Sequence, residues 1–271
     1  MTIQTFPLWT GGAPGAMGSR VEDIPSITLF PPSVAPNGAA MLVYPGGGYE
    51  ALMDYEGEAY ARWLAGQGYY GAVVNYRLTP AGYTLPLIIG DGMRAVRWMR
   101  SRAAELGFNP AKIGVIGSSA GGHLCANLAV RWDRGTAGSA DVVERVGSRP
   151  DLAVLCYPLI DILVHEQPWV ARFFGGKAPA SDTAEYFSAS RHVRKETAPC
   201  FLFHTFEDDT VPDNHSLRMA QALSENSVPY ELHLYERGPH GLALGNHQRG
   251  GGGAHPWTAA CLSWLKDRFG L

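Results

Sequence analysis

The chain has 271 residues, 46% of them apolar, and a formal net charge of −3. That length suits one large α/β domain or two small ones, and the apolar share suits a protein that buries a core. The charge gives no electrostatic case for nucleic acid or an anionic membrane surface, and no apolar run approaches the ~20 residues of a membrane span. The start, Met1-Thr2-Ile3-Gln4, has neither the basic nor the apolar stretch of a secretory leader, so a cytoplasmic location is expected. Four cysteines, Cys125, Cys156, Cys200 and Cys261, lie far apart in apolar segments without metal-ligand spacing. They read as buried small hydrophobes in a reduced compartment.

Strand-like and helix-like segments alternate along the chain, with no internal repeat, low-complexity tract or long polar linker. That is the pattern of a parallel sheet covered on both faces. Residues 27–30 and 41–44 predict short strands around a turn-rich 31–38. Residues 56–65 have helical spacing, with Ala59, Trp63 and Leu64 on one side and Gly66-Gln67-Gly68 as the stop. Residues 72–76 predict the next strand. Residues 87–106 predict one long amphipathic helix, with Met93, Val96, Met99 and Ala103 at three- and four-residue steps and Gly107 after it. A strand over 112–117 and a helix over 120–132 follow, then a polar surface connection over 133–149 and a buried strand over 152–157. Residues 161–197 break the alternation. They are rich in aromatics (Trp169, Phe173, Phe174, Tyr186, Phe187) and predict an insertion above the carboxyl edge of the sheet, a lid or substrate wall. Strands over 200–205 and 230–235 and helices over 214–224 and 255–269 complete the chain, read as one domain over 1–271.

The most informative stretch is Gly117-Ser118-Ser119-Ala120-Gly121, which fits G-x-S-x-G between a strand and a helix. A sharp turn there lifts the Ser119 hydroxyl out of the backbone, and small neighbours let the turn close. A serine hydroxyl is a poor nucleophile at neutral pH. It needs a histidine base, and the histidine needs a carboxylate to fix its tautomer. In this architecture the order is Ser, acid, His. His240, in Gly238-Pro239-His240-Gly241 just past the strand over 230–235, fits best. His247 and His255 flank the Gly-rich run 250–253 and stand as second choices, while His123 packs within the elbow helix. The acid belongs after the strand over 200–205, where Glu207, Asp208 and Asp209 all occur and composition alone does not choose. Asp161 instead shapes the loop that leaves the preceding strand. An oxyanion hole needs backbone N–H groups. Ala120 supplies one, and Pro45-Gly46-Gly47-Gly48-Tyr49 is the Gly-rich loop for the other. No Gly-Lys-Ser/Thr follows it, which argues against a phosphate-binding loop.

Tyr44-Pro45-Gly46-Gly47-Gly48-Tyr49, Glu56-Gly57, Tyr76-Arg77-Leu78, Asp91 with Arg94-Ala95-Val96, and Gly117 through Leu124 together resemble the α/β-hydrolase esterases. The resemblance is narrower to the acetyl-xylan-esterase-like branch, related to the hormone-sensitive-lipase-like carboxylesterases. It spans nearly the whole chain. It implies an α/β-hydrolase fold, a mostly parallel sheet flanked by helices with a small insertion near the active site. The acid of that family lies in a His-Gly-x-x-Asp-x-x-Val-Pro-like segment, here His204 through Pro212, so Asp208 falls on the acid position. Thr205 departs from the usual Gly, which keeps Glu207 and Asp209 in play. Gly47, with Gly48 beside it, falls on the oxyanion position, and His240 on the base. The implied reaction removes a short acyl group, acetate foremost, from a sugar or similar ester, with no metal or organic cofactor. Tyr49, Trp169 and Phe173 are the candidate substrate contacts, with Trp9 and Phe174 as further rings that could stack on a sugar. Glu56, Arg77 and Asp91 are expected to form loop-tying ion pairs behind the site. An arylformamidase, a general carboxylesterase, a prolyl-oligopeptidase-type peptidase and a catalytically dead binding protein are the alternatives. The partner is a small-molecule or oligosaccharide ester, and a homo-oligomer is left open.

Overall fold

A computed structural model describes residues 2–164, 168–245 and 253–271, the side chains of 164, 168 and 169 excepted. Among these residues eight strands make one sheet: β1 (Gln4–Pro7), β2 (Ser26–Phe30), β3 (Ala40–Tyr44), β4 (Tyr70–Asn75), β5 (Ile113–Ser118), β6 (Leu152–Cys156), β7 (Cys200–Thr205) and β8 (Tyr230–Tyr235). Their spatial order is β1-β2-β4-β3-β5-β6-β7-β8. The β1–β2 and β2–β4 pairs are antiparallel and the rest are parallel. The helices are α1 (Glu58–Ala65), α2 (Leu85–Ser101), α3 (Ala103–Leu106), α4 (Ala120–Val130), α5 (Ser181–Tyr186), α6 (Asn214–Glu225) and α7 (Pro256–Phe269).

The central strands read as unbroken apolar runs because both faces of the sheet are covered. Along β3, Ala40, Leu42 and Tyr44 enter one core, which holds Leu124 and Leu128 of α4. Met41 and Val43 point the opposite way, into a core with Tyr60 and Leu64 of α1 and Trp257 and Leu265 of α7. The period-2 alternation of the strand therefore feeds two cores at once. All four cysteines are free and buried, Cys125 and Cys200 in the first core, Cys156 and Cys261 in the second. No described helix is long and apolar enough to cross a membrane.

Three departures from the sequence reading have local causes. β1 was not expected, because Gln4–Pro7 is short, mostly exposed and ends in proline. It is defined by pairing with β2, from Gln4 opposite Leu29 to Pro7 opposite Ser26. The long helix over 87–106 is two helices, because Arg102 leaves helical geometry (φ −107°, ψ 5°) and its guanidinium lies over the Trp98 ring at 4.0 Å. Before α1, residues Asp54–Glu56 form a separate 3-10 turn, and Gly57 (φ −101°, ψ −91°) redirects the chain into the helix.

Between β6 and β7 the chain makes 3-10 turns at Ile162–Val164, Pro168–Phe174 and Ala189–His192 around α5. This segment is fastened at its base. The Ala189 N–H donates to Ile160 O at 3.0 Å, and the Ile162 N–H donates to Ser188 Oγ at 2.9 Å. At its front, Arg172 Nη1 lies 2.6 Å from Glu50 Oε1, on the loop after β3.

Candidate active site

Parallel strands place their carboxyl ends, and the loops leaving them, on one edge of the sheet. β5 ends there in the elbow. Ser119 has φ 53° and ψ −117°, a conformation that a residue with a side chain holds only when its surroundings fix it. Three bonds do so: the Ser119 N–H donates to Cys156 O at 3.0 Å, and Ser119 O accepts the His123 N–H at 3.0 Å and the Leu159 N–H at 3.3 Å. Glycine is required around the turn. A Cβ on Gly117 would lie 2.8 Å from Cys125 Sγ, and one on Gly121 would lie 2.7 Å from Pro45 O.

His240 Nε2 lies 2.8 Å from Ser119 Oγ, and His240 Nδ1 lies 2.7 Å from Asp208 Oδ2. The other Asp208 oxygen accepts the N–H groups of Thr210 (3.0 Å) and Val211 (2.9 Å). Burial works against the Asp208 charge, but hydrogen bonds from His204 and His240, the His240 charge and the Val211 N–H outweigh it. The carboxyl is held well below the usual carboxylate range. His204, fully buried, has Nε2 3.3 Å from Asp208 Oδ2 and 2.8 Å from Val211 O, while Nδ1 meets Ser216 Oγ at 2.8 Å.

The neighbouring carboxylates have other work. Glu207 accepts the Gly238 N–H at 3.0 Å, and Thr205 Oγ1 donates to Gly238 O at 2.8 Å. Both ends of Gly238 (φ 139°), two residues before His240, are thus tied to the end of β7. The threonine that departs from the family glycine therefore anchors the histidine loop. Asp209 Oδ1 meets the Thr210 hydroxyl at 3.3 Å. Asp161 caps its own loop through the Leu163 N–H at 3.2 Å and lies 3.7 Å from Arg191. Of the second-choice histidines, His255 caps α7 through the Trp257 N–H at 3.4 Å, and His247 lies outside the described residues.

The Gly-rich loop faces the elbow. Gly47 has φ 126° and Gly48 φ 63°, both in the region that favours glycine. A Cβ on Gly47 would lie 2.8 Å from Ala51 C, and one on Gly46 would lie 3.2 Å from Ser119 Cβ. Gly47, Gly48, Glu50, Met53, Tyr55, Glu56, Ser119, Thr210 and His240 line one hollow of about 300 Å3. Ala120 opens α4, so its N–H has no intrahelical acceptor and stands at the positive end of the helix.

The expected aromatic contacts come out differently. Tyr49 and Phe173 are fully buried and pack edge to face with ring centroids 4.9 Å apart. The Tyr49 hydroxyl meets His123 Nδ1 at 2.7 Å. Neither residue is among those that line the hollow at Ser119. The Trp169 side chain lies outside what the structure describes. Trp9 lies under the Arg94 guanidinium at 5.1 Å and lines a different hollow of about 720 Å3 beside β1. That hollow shares no lining residue with the one at Ser119. Its carboxylate, Asp23, is engaged by the Tyr83 hydroxyl at 2.5 Å and the Arg20 N–H at 3.0 Å.

Of the residues expected in ion pairs, two meet each other. Arg77 and Asp91 pair while almost fully buried, with Nη2 to Oδ1 at 2.7 Å and Nε to Oδ2 at 2.9 Å. Arg77 Nη1 also donates to Pro14 O at 2.8 Å, which ties down the chain after β1. Glu56 accepts the Gly46 N–H at 2.8 Å and the Tyr157 hydroxyl at 2.7 Å, so it faces the site. The cue was its position after the glycine loop, but sequence does not show which polar group it meets. Among the described residues no group of three or more His, Cys, Asp or Glu could hold a metal ion.

The BD-FAE family profile matches residues 30–223. The chain is 34% identical over 211 residues to endo-1,4-beta-xylanase B of Butyrivibrio fibrisolvens, covering 77% of this chain and 33% of that protein. It is 31% identical over 218 residues to an acetylxylan esterase of Xylanibacter ruminicola, covering 78% and 42%. It thus spans less than half the length of either relative. The crystal structure of an acetyl ester-xyloside bifunctional hydrolase from Caldicellulosiruptor lactoaceticus matches with a TM-score of 0.89 and 33% identity, covering 97% of this chain and 96% of that one. The chain belongs to the BD-FAE family, among the α/β-hydrolase esterases of the acetyl-xylan-esterase branch.

Proposed function

We propose that this chain is a serine ester hydrolase that removes acetyl groups from a carbohydrate, working through an acyl-enzyme. The observation that carries the reading is the relay Ser119 Oγ to His240 Nε2 to His240 Nδ1 to Asp208 Oδ2, with both links under 3 Å. In the first step Ser119 attacks the ester carbonyl as its proton passes to His240 Nε2. Asp208 holds the Nδ1 proton, fixes the tautomer and stabilises the imidazolium. The N–H groups of Gly47, Gly48 and Ala120 receive the oxyanion. The tetrahedral adduct collapses as His240 protonates the leaving alcohol. Water then attacks the acyl-enzyme with His240 again as base, and acetate leaves.

Size and wall chemistry support a short acyl group on a polyol. About 300 Å3 leaves little room for a long acyl chain beside a sugar. The Glu50 carboxylate and the Thr210 hydroxyl suit a partner rich in hydroxyl donors. The names of the acetylxylan esterase and the acetyl ester-xyloside hydrolase point the same way.

The test is acetate release from acetylated xylo-oligosaccharides, with Ser119→Ala as control. Release by the native protein and not by the variant is expected. Absence of release from protein that still takes a fluorophosphonate at Ser119 would discard the carbohydrate ester and direct the search to simple esters and formamides. Equal labelling of native protein and Ser119→Ala would remove the nucleophile itself.

A further inference from the structure

Two loops must keep a fixed separation for the proposed reaction: the glycine loop after β3 and the loop that carries His240. A buried polar chain joins them. Glu56 is 2% exposed and forms part of the wall of the hollow that holds Ser119 and His240. One of its oxygens accepts the Gly46 N–H at 2.8 Å, at the root of the glycine loop. The other accepts the Tyr157 hydroxyl at 2.7 Å. That hydroxyl in turn accepts the Ala243 N–H at 3.0 Å, three residues beyond His240. The Tyr157 ring also stands edge to face against the His240 ring, with centroids 5.2 Å apart and planes at 72°.

Neither end of this chain has slack. Tyr157 follows β6 in the left-handed region (φ 35°), where a bulky residue persists only if its surroundings hold it, and its N–H donates to Phe203 O at 2.8 Å. Gly46 is pressed on the elbow, since a Cβ there would lie 2.6 Å from Ser118 O.

We propose that Glu56 is a positioning residue for the reaction, acting with Tyr157 to set the oxyanion loop and the His240 loop against each other. This rests on the serine-hydrolase reading above. The chemistry demands a carboxylate. The Gly46 N–H and the Tyr157 hydroxyl both donate to it, so an oxygen is wanted at each, whereas a glutamine amide offers one acceptor and one donor group. Glu56→Gln therefore keeps an acceptor for only one of them: with its oxygen on the Gly46 N–H, its NH2 meets the Tyr157 hydroxyl, whose proton loses the carboxylate, and with its oxygen on Tyr157, donor faces donor at Gly46. Tyr157→Phe keeps the ring on His240 and removes the hydroxyl's contacts with Glu56 and the Ala243 N–H.

The experiment compares native protein, Glu56→Gln, Tyr157→Phe and the double variant, with an aryl acetate as substrate and a boronic acid as mimic of the tetrahedral oxyanion. Each single variant is expected to lose kcat by roughly 10- to 100-fold with KM within about threefold, as misaimed oxyanion donors would cause. Boronate binding is expected to weaken in step with kcat. The double variant is expected to lose no more than the worse single one, because both break the same link. A buried polar group with a purely structural role would lower Tm and leave kcat and boronate binding alone. That result, or losses that multiply, overturns the proposal. Should Glu56→Gln fail to fold, Tyr157→Phe gives the same comparison. Native protein that neither cleaves the acetate nor takes a fluorophosphonate at Ser119 overturns the hydrolase reading, whereas an active native protein with unimpaired variants overturns the positioning role alone.

Discussion

Of three consecutive acidic side chains, Asp208 meets the imidazole of His240. Glu207 and Asp209 flank Asp208, yet Glu207 reaches the Gly238 amide and Asp209 the Thr210 hydroxyl. Replacing Asp208 by Asn keeps the shape but presents an amide that does not hold the Nδ1 proton as a carboxylate does. Asp208→Asn is expected to lower kcat on the order of 10³- to 10⁴-fold with little change in KM, read from steady-state kinetics on an aryl acetate. That Ser119 and His240 come together was legible in the sequence because their cues are local: a glycine-flanked turn between strand and helix, and a glycine-flanked histidine past a late strand. Asp208 needed the family pattern, since three neighbouring carboxylates carry the same local signal. The fates of Tyr49 and Phe173 were not legible, because an aromatic ring has the same letter in a core and on a cleft wall. Their burial and their packing on each other separate the two.

At the scale of elements, the sheet was legible strand by strand where both faces are apolar and illegible at β1, whose definition lies in its pairing. The break at Arg102 was hidden for a related reason, since the apolar spacing runs through it unchanged. The Arg77–Asp91 pair joins three pieces of chain: the segment ahead of β2, the end of β4 and the middle of α2. Burial pushes the Asp91 carboxyl up, and the Arg77 hydrogen bonds and charge pull it back in part. Removing the charge on one side leaves the guanidinium buried without compensation. Asp91→Asn is expected to destabilise the fold by about 3 kcal/mol, read from chemical denaturation. A double replacement by well-packed apolar residues is expected to recover much of that loss.

The whole molecule carries a pH signature from a residue outside the relay. His123 of α4 is fully buried, and its pKa is pushed down to about 4 by burial, with Arg131 adding to the effect and the Phe187 carbonyl opposing it. A neutral ring suits its contacts, Nδ1 with the Tyr49 hydroxyl at 2.7 Å and Nε2 with Phe187 O at 2.8 Å. Unfolded, the same histidine titrates near 6.5, so between about pH 6.5 and 4 the unfolded chain binds the extra proton. Stability is therefore expected to fall as pH drops through that window, by on the order of 3 kcal/mol from this group. A Tm series against pH should show a shallower acid limb in His123→Gln, and an unchanged limb would assign the effect elsewhere. The four buried cysteines carry a different kind of consequence. Burial raises the pKa of every one of these thiols, that of Cys200 to about 12. A native fold that shows no thiolate to solvent makes alkylation a clock for opening rather than a probe of surface chemistry. Because two of these cysteines sit on each side of the sheet, the clock has two hands. Variants that keep only Cys125 and Cys200, or only Cys156 and Cys261, would time the opening of the two layers separately, and would tell whether the molecule comes apart as one body or peels from one side first.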